Sequence, residues 1–232
     1  MLGLLVITLA SWVLLHFLAK ENLSVLGVFP IGKGMIQFGM GLVFIMAITL
    51  VNIYVETIVL NVDWQWQTDI HYPSIFDAFV YHLRSALTED LVFRGAILYI
   101  LIKRLGSSWA IFISALCFGV YHVFSYGIAG GGNILTLFVV ITTGFTGYVW
   151  AYTFSKSKSI MLGLGFHLGV NMMNSFFFES QPYGELIFRV VSKTPLADWD
   201  AGAFSLFKGF FPAILSLLFV KYILRTSLYF RK

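Results

Sequence analysis

Glu89, Asp90, Arg94, His122, His167 and Asn171 are the residues of this chain whose types and spacing could do chemistry. Each lies within a long apolar run, where a lipid-spanning helix ordinarily carries no ionisable group. An ionisable side chain at the bilayer centre costs about 2.5–3.5 kcal/mol on insertion scales, so it seldom persists without a role. A carboxylate pair, an arginine, two histidines and an amide are the parts of a hydrolytic site. Hydrolysis needs a base to activate water, a charge sink for the intermediate and a proton donor for the leaving group.

Spacing divides the labour. Asp90 and Arg94 stand four apart, share a helix face and can form an ion pair. Glu89 points about 100° away from Asp90 and is left to face a cavity. The bland alternative is a structural salt bridge with a spare acid. Phe118 stands one turn before His122 and could wall a pocket. By itself His122 reads equally well as a hydrogen-bonded core histidine. His167 and Asn171 are again four apart, and two donors converging on one point suit a developing oxyanion. Their alternative is helix glue, side chains that merely bond across helices. Gly163, Gly165 and Gly169 around them predict close approach of neighbouring helices. Asn52, Glu56, His82, Arg84 and Glu179 read as snorkelling or helix-end groups, with His82 on a face similar to that of Glu89.

The elements that must position these residues are membrane helices. The chain has 232 residues, 59% hydrophobic and only 11% charged, with a mean hydropathy of +0.86. Soluble domains run at about 45–50% apolar and about 25% charged. The expected fold is therefore all-α, a polytopic transmembrane helical bundle forming one integral membrane domain over residues 1–232. Seven apolar segments approach or exceed the ~20 residues a bilayer requires. They are Leu2–Ala19, Met35–Leu60, Ile75–Ile102, Trp109–Tyr126, Ile134–Phe154, Ile160–Phe178 and Phe204–Leu224. The motif-bearing core spans about 75–178. The third segment is overlong, so its first turns are expected in the interface, and Pro212 should kink the last helix.

Charge alternates along the connections. Lys20 and Lys33, Lys103 and Arg104, Lys156 and Lys158, then Arg225, Arg231 and Lys232 form one set. Asp63 and Asp69, the Gly130-Gly131-Gly132 turn and the mixed stretch 179–200 form the other. The positive-inside rule puts the first set in the cytoplasm, with the N-terminus outside. Trp64, Trp66 and Tyr72 fit an outer aromatic belt. The net charge of +4 is spread over segment ends, which reads as topology and not as nucleic-acid binding. The first segment lacks a basic start and reads as a retained helix. The single Cys117 allows no internal disulfide and no CxxC metal site.

Three motifs in order resemble a known family. Thr88–Gly95 reads TEDLVFRG, which is similar to the EExxxR motif of the CPBP family, the type II CAAX prenyl endopeptidases and bacteriocin-processing relatives. Phe118–His122 reads FGVYH, similar to FxxxH. His167–Asn171 reads HLGVN, similar to HxxxN. The resemblance implies an intramembrane glutamate endopeptidase that needs no metal or other cofactor. Glu89 would activate water together with His122, His167 and Asn171 would stabilise the oxyanion, and Asp90 and Arg94 would support Glu89. The departure is Asp90, where the family usually carries a second glutamate.

Other classes remain open. Glu89, His122 and His167 could supply a two-His-one-carboxylate zinc set, although no HExxH is present. Buried Glu, His and Asn also suit a proton relay, or a pocket in a transporter, scaffold or immunity protein. The expected partners are membrane lipid and a membrane-embedded or lipidated peptide or protein, with no nucleic acid. The short chain and small loops point to a multi-pass protein of a prokaryotic cell membrane.

Overall fold

The structure, a computed structural model, describes residues 2–180 and 182–223. Arg225, Arg231 and Lys232, used above to orient the chain, lie outside the described residues. The chain is an all-α bundle. Its helices are α1 (Leu2–Leu14), α2 (Ile31–Val59), α3 (Tyr72–Arg94), α4 (Ala96–Leu105), α5 (Ser107–Ser125), α6 (Asn133–Ser157), α7 (Met161–Phe177) and α8 (Asp198–Leu218). α1 continues through a π-helical turn, Leu15–Ala19.

Among the described residues, five stretches are long and apolar enough to cross a membrane: Leu2–Ala19, Leu23–Val59, Ser107–Ser125, Asn133–Ser157 and Asp198–Tyr222. The two helices carrying the carboxylates and the HxxxN pair are not among them. α3 holds Asp77, Arg84, Glu89, Asp90 and Arg94 in one helix, and α7 has only 17 residues. Both are made tolerable by neighbours, as polar membrane helices must be.

The third apolar run is two helices and not one overlong span. It breaks at Gly95, where a Cβ would fall 2.2 Å from the Leu91 carbonyl oxygen. No side chain fits that approach, so a glycine marks the corner between α3 and α4.

A short antiparallel pair, β1 (Asp63–Trp66) and β2 (Phe188–Ser192), joins the connections after α2 and after α7. At the other end Lys103 Nζ meets Glu21 Oε1 at 2.7 Å, and Ser159 Oγ donates to the Gly27 carbonyl at 2.9 Å. Each set of connections is thus gathered at its own end of the bundle. At the Glu21 end, the Lys103 ammonium and then the Tyr99 hydroxyl, both hydrogen-bonded to Glu21, hold its carboxyl below the usual range.

α7 is packed hardest against α2. A Cβ at Gly165 would lie 2.3 Å from the Phe38 carbonyl oxygen, and one at Gly169 would lie 2.3 Å from Ile45 Cγ2. Small residues here let two backbones meet. Gly163 is looser, with the Trp150 carbonyl oxygen 3.9 Å away. On α5 and α6, Gly119 and Gly144 make a second close crossing, where a Gly119 Cβ would lie 2.5 Å from the Val140 carbonyl oxygen. These contacts fix α5 and α7 around α3.

Pro212 lies inside α8. Proline has no N–H, so the Lys208 carbonyl four residues earlier loses its helical donor. Asn52 Nδ2 donates to that oxygen at 3.2 Å instead. Lys208 Nζ also pairs with Glu56 Oε1 at 2.9 Å. Glu56 is only 5% exposed. It is therefore a buried acid with a partner on another helix and not a snorkelling group.

Candidate active site

Asp90 and Arg94 form the ion pair that their spacing predicts, with Arg94 Nη1 2.8 Å from Asp90 Oδ1. Both residues are 2% exposed. The guanidinium lies over the Phe118 ring, 3.8 Å from its centroid, with Trp150 at 5.1 Å. An aromatic face so close is attractive to a desolvated cation. Gly147 of α6 makes room for that ring, because a Cβ there would come within 2.8 Å of it.

Glu89 has a different environment. It lines a cavity of about 180 Å³ with Tyr81, Arg84, Ser85, Thr88 and Tyr121. Ser85 Oγ donates weakly to Oε1 at 3.4 Å. Oε2 has no hydrogen-bond partner. One carboxylate is committed and its neighbour is available.

His167 bridges them. Its Nδ1 lies 3.5 Å from Asp90 Oδ1 and its Nε2 lies 3.8 Å from Glu89 Oε2. These are charge contacts beyond good hydrogen-bond length. The ring stacks on Trp150, centroid to centroid 4.5 Å. A neutral imidazole can donate from one nitrogen only, whereas an imidazolium donates from both.

His122 is 8% exposed. Its Nδ1 lies 2.8 Å from the Phe118 carbonyl oxygen. A carbonyl only accepts, so Nδ1 carries the hydrogen and neutral His122 presents Nε2 as a lone pair. Phe118 packs on both histidine rings, at 4.3 Å from His122 and 6.5 Å from His167. The first residue of the FxxxH motif is thus the shared wall of the site.

Asn171 sits one turn beyond His167, half-buried. Its backbone carbonyl accepts from Ser175 Oγ at 3.0 Å. With that proton spent, the Ser175 oxygen accepts from His82 Nε2 at 2.8 Å. His82 is therefore tied to the turn that carries Asn171, a tie between helices that its sequence spacing from Glu89 does not reveal. Among the described residues no three His, Cys, Asp or Glu side chains gather so as to hold a metal ion.

Comparison with curated proteins and with solved structures returns no match. Residues 71–173, shorter than half of the chain, match the family model described as Type II CAAX prenyl endopeptidase Rce1-like. The matched stretch contains TEDLVFRG, FGVYH and HLGVN, and with it α3, α5 and the part of α7 that holds His167. The family is one of membrane peptidases. Over that stretch, the chain is similar to the Rce1-like type II CAAX prenyl endopeptidases.

Proposed function

We propose that this chain, as one integral membrane domain, is an endopeptidase in which Glu89 activates the attacking water and no metal is required. The observation carrying this reading is the contrast between adjacent carboxylates. Asp90 is enclosed and paired with Arg94. Glu89 lines a cavity and has only a long hydrogen bond from Ser85.

Glu89 takes a proton from water as its oxygen attacks the scissile carbonyl carbon. His122 Nε2 accepts a hydrogen bond from the same water. The carbonyl oxygen gathers negative charge and is met by His167 Nε2–H and the Asn171 amide. Glu89 then returns its proton to the leaving amine. Asp90 and Arg94 hold their neighbours in place and touch no reacting atom. The shorter acid at position 90 reaches Arg94 across one turn, so the departure from a second glutamate leaves this bracing intact.

The substrate class is a peptide or protein held at the membrane, lipidated or processed as bacteriocin precursors are. The positive-inside pattern supports a cytoplasmic Lys103 end, and the short chain and small loops support a prokaryotic cell membrane. The test compares membrane peptides from cells carrying the wild type and Glu89→Ala. A product absent only with the variant names the substrate, and identical peptide sets would sink the proposal. Activity lost on exhaustive chelation, with stoichiometric zinc in the protein, would favour the zinc alternative. A biological role that survives Glu89→Ala in a folded chain would favour a scaffold or immunity protein.

A further inference from the structure

A second cavity, about 590 Å³, lies between α2, α6, α7 and α8. It is more than three times the volume of the one at Glu89. Its lining is ordered along α2. Glu56 stands nearest the helix end, Asn52 about one turn deeper, Thr49 about one turn below that, and Ile45 roughly 16 Å below Glu56 at ~1.5 Å per residue. Lys193, from the connection after α7, is at the mouth. Trp150, whose ring lies 4.5 Å from that of His167, also lines the cavity.

Two groups here are unsatisfied. Thr49 Oγ1 and Asn52 Oδ1 are buried without a hydrogen-bond partner. Thr49 is 6% exposed. Unpaired buried polar atoms are costly and call for an occupant that pairs them. Charge narrows the choice. Glu56, Glu179, Lys193 and Lys208 sum to zero around the cavity. Lys208 spends one of its three N–H donors on Glu56. A net anion or cation gains little from such a set, whereas a zwitterion meets both signs.

We propose that this cavity binds a phospholipid of the phosphatidylethanolamine class. Its primary ammonium donates to Glu56 and Asn52 Oδ1. Its phosphate accepts from Lys208 and Lys193. One turn deeper the Thr49 hydroxyl donates to an ester carbonyl, and an acyl chain lies on Ile45, Val170 and Ala213. The order on α2, charged, amide, hydroxyl, aliphatic, follows the order of groups along such a lipid. A choline head has no N–H for Asn52, and a glycerol head has no cation for Glu56.

The experiment is native mass spectrometry of the full chain, delipidated in detergent, titrated with dioleoyl phosphatidylethanolamine, phosphatidylcholine, phosphatidylglycerol or the zwitterionic peptide Ala-Ala-Ala. The ethanolamine lipid should bind about tenfold more tightly than the other two lipids. Thr49→Val and Lys193→Ala, which remove contacts to the ester and the phosphate common to all three lipids, should each weaken its binding severalfold. Neither variant removes a partner from another protein group, so both should fold, as thermal unfolding without lipid will report. Equal binding of the three lipids overturns the proposal. So does ethanolamine-lipid binding undiminished in both variants, or displacement of the lipid by the peptide at comparable concentration. Glu89 takes no part, so binding reads the same in Glu89→Ala whether or not the chain cleaves peptides.

Discussion

Replacing Arg94 with methionine should cost about 3–5 kcal/mol of unfolding free energy, the usual penalty for stranding one member of a buried pair. Asp90 is 2% exposed. Its second oxygen already lacks a partner, so nothing else neutralises the charge fully. Of the guanidinium nitrogens, Nε and Nη2 also have no hydrogen-bond partner. The pair therefore rests on one contact of 2.8 Å, with Phe118 supporting the cation at 3.8 Å. That support is worth about 2 kcal/mol when desolvated, and a methionine sulfur against the ring recovers about 0.3–1.5 kcal/mol. A pair so incompletely bonded repays little of its desolvation. Asp90→Asn combined with Arg94→Met should therefore lie within about 1–2 kcal/mol of wild type, far above either single variant. The assay is a double-mutant cycle on reversible unfolding in micelles. A single Arg94→Met loss below about 1 kcal/mol, or a double variant no more stable than the singles, would refute the account.

Four further outcomes follow from particular contacts. Glu89→Gln should lower peptide cleavage by about 10²–10⁴-fold with little change in Tm, read by turnover of whichever substrate the peptide comparison identifies. Gly119→Ala should destabilise by about 1–3 kcal/mol despite its better helix propensity, because its Cβ meets the Val140 carbonyl oxygen at 2.5 Å; Gly144→Ala, whose Cβ would make an ordinary contact at 3.4 Å with the Ala115 carbonyl oxygen, should be near neutral in the same thermal unfolding. Asn52→Leu should cost about 1 kcal/mol by orphaning the Lys208 carbonyl, and almost nothing in a Pro212→Ala background that restores a helical N–H, as paired unfolding curves would reveal. The bond from Lys103 and then that from Tyr99 lower the Glu21 pKa. Glu21 therefore adds stability above its unfolded pKa that is lost as pH falls through its folded value; Tm plotted against pH for wild type and Lys103→Met should converge on acidification, and parallel curves would contradict the pairing.

Sequence revealed what lies within one helix and missed what lies between helices. Asp90–Arg94 was legible because four residues bring two side chains onto one face, whatever the rest of the chain does. Polar residues in apolar runs were legible because the membrane makes them expensive. The corner at Gly95 was not, since a glycine inside an apolar helix costs only about 1 kcal/mol and commonly passes without a break. Glu56 was misread for a related reason. Its ion-pair partner, Lys208, lies on a helix far along the chain, which spacing along α2 does not reveal. The glycines of α7 announced a close approach but not its direction, which is towards α2 and away from the carboxylates. That direction has a consequence. By clamping α7 to α2 on one side, the glycines leave His167 to face α3 and Trp150 on the other. The motif spacing sets which polar groups share a face, and residues outside the motifs set which neighbours they meet.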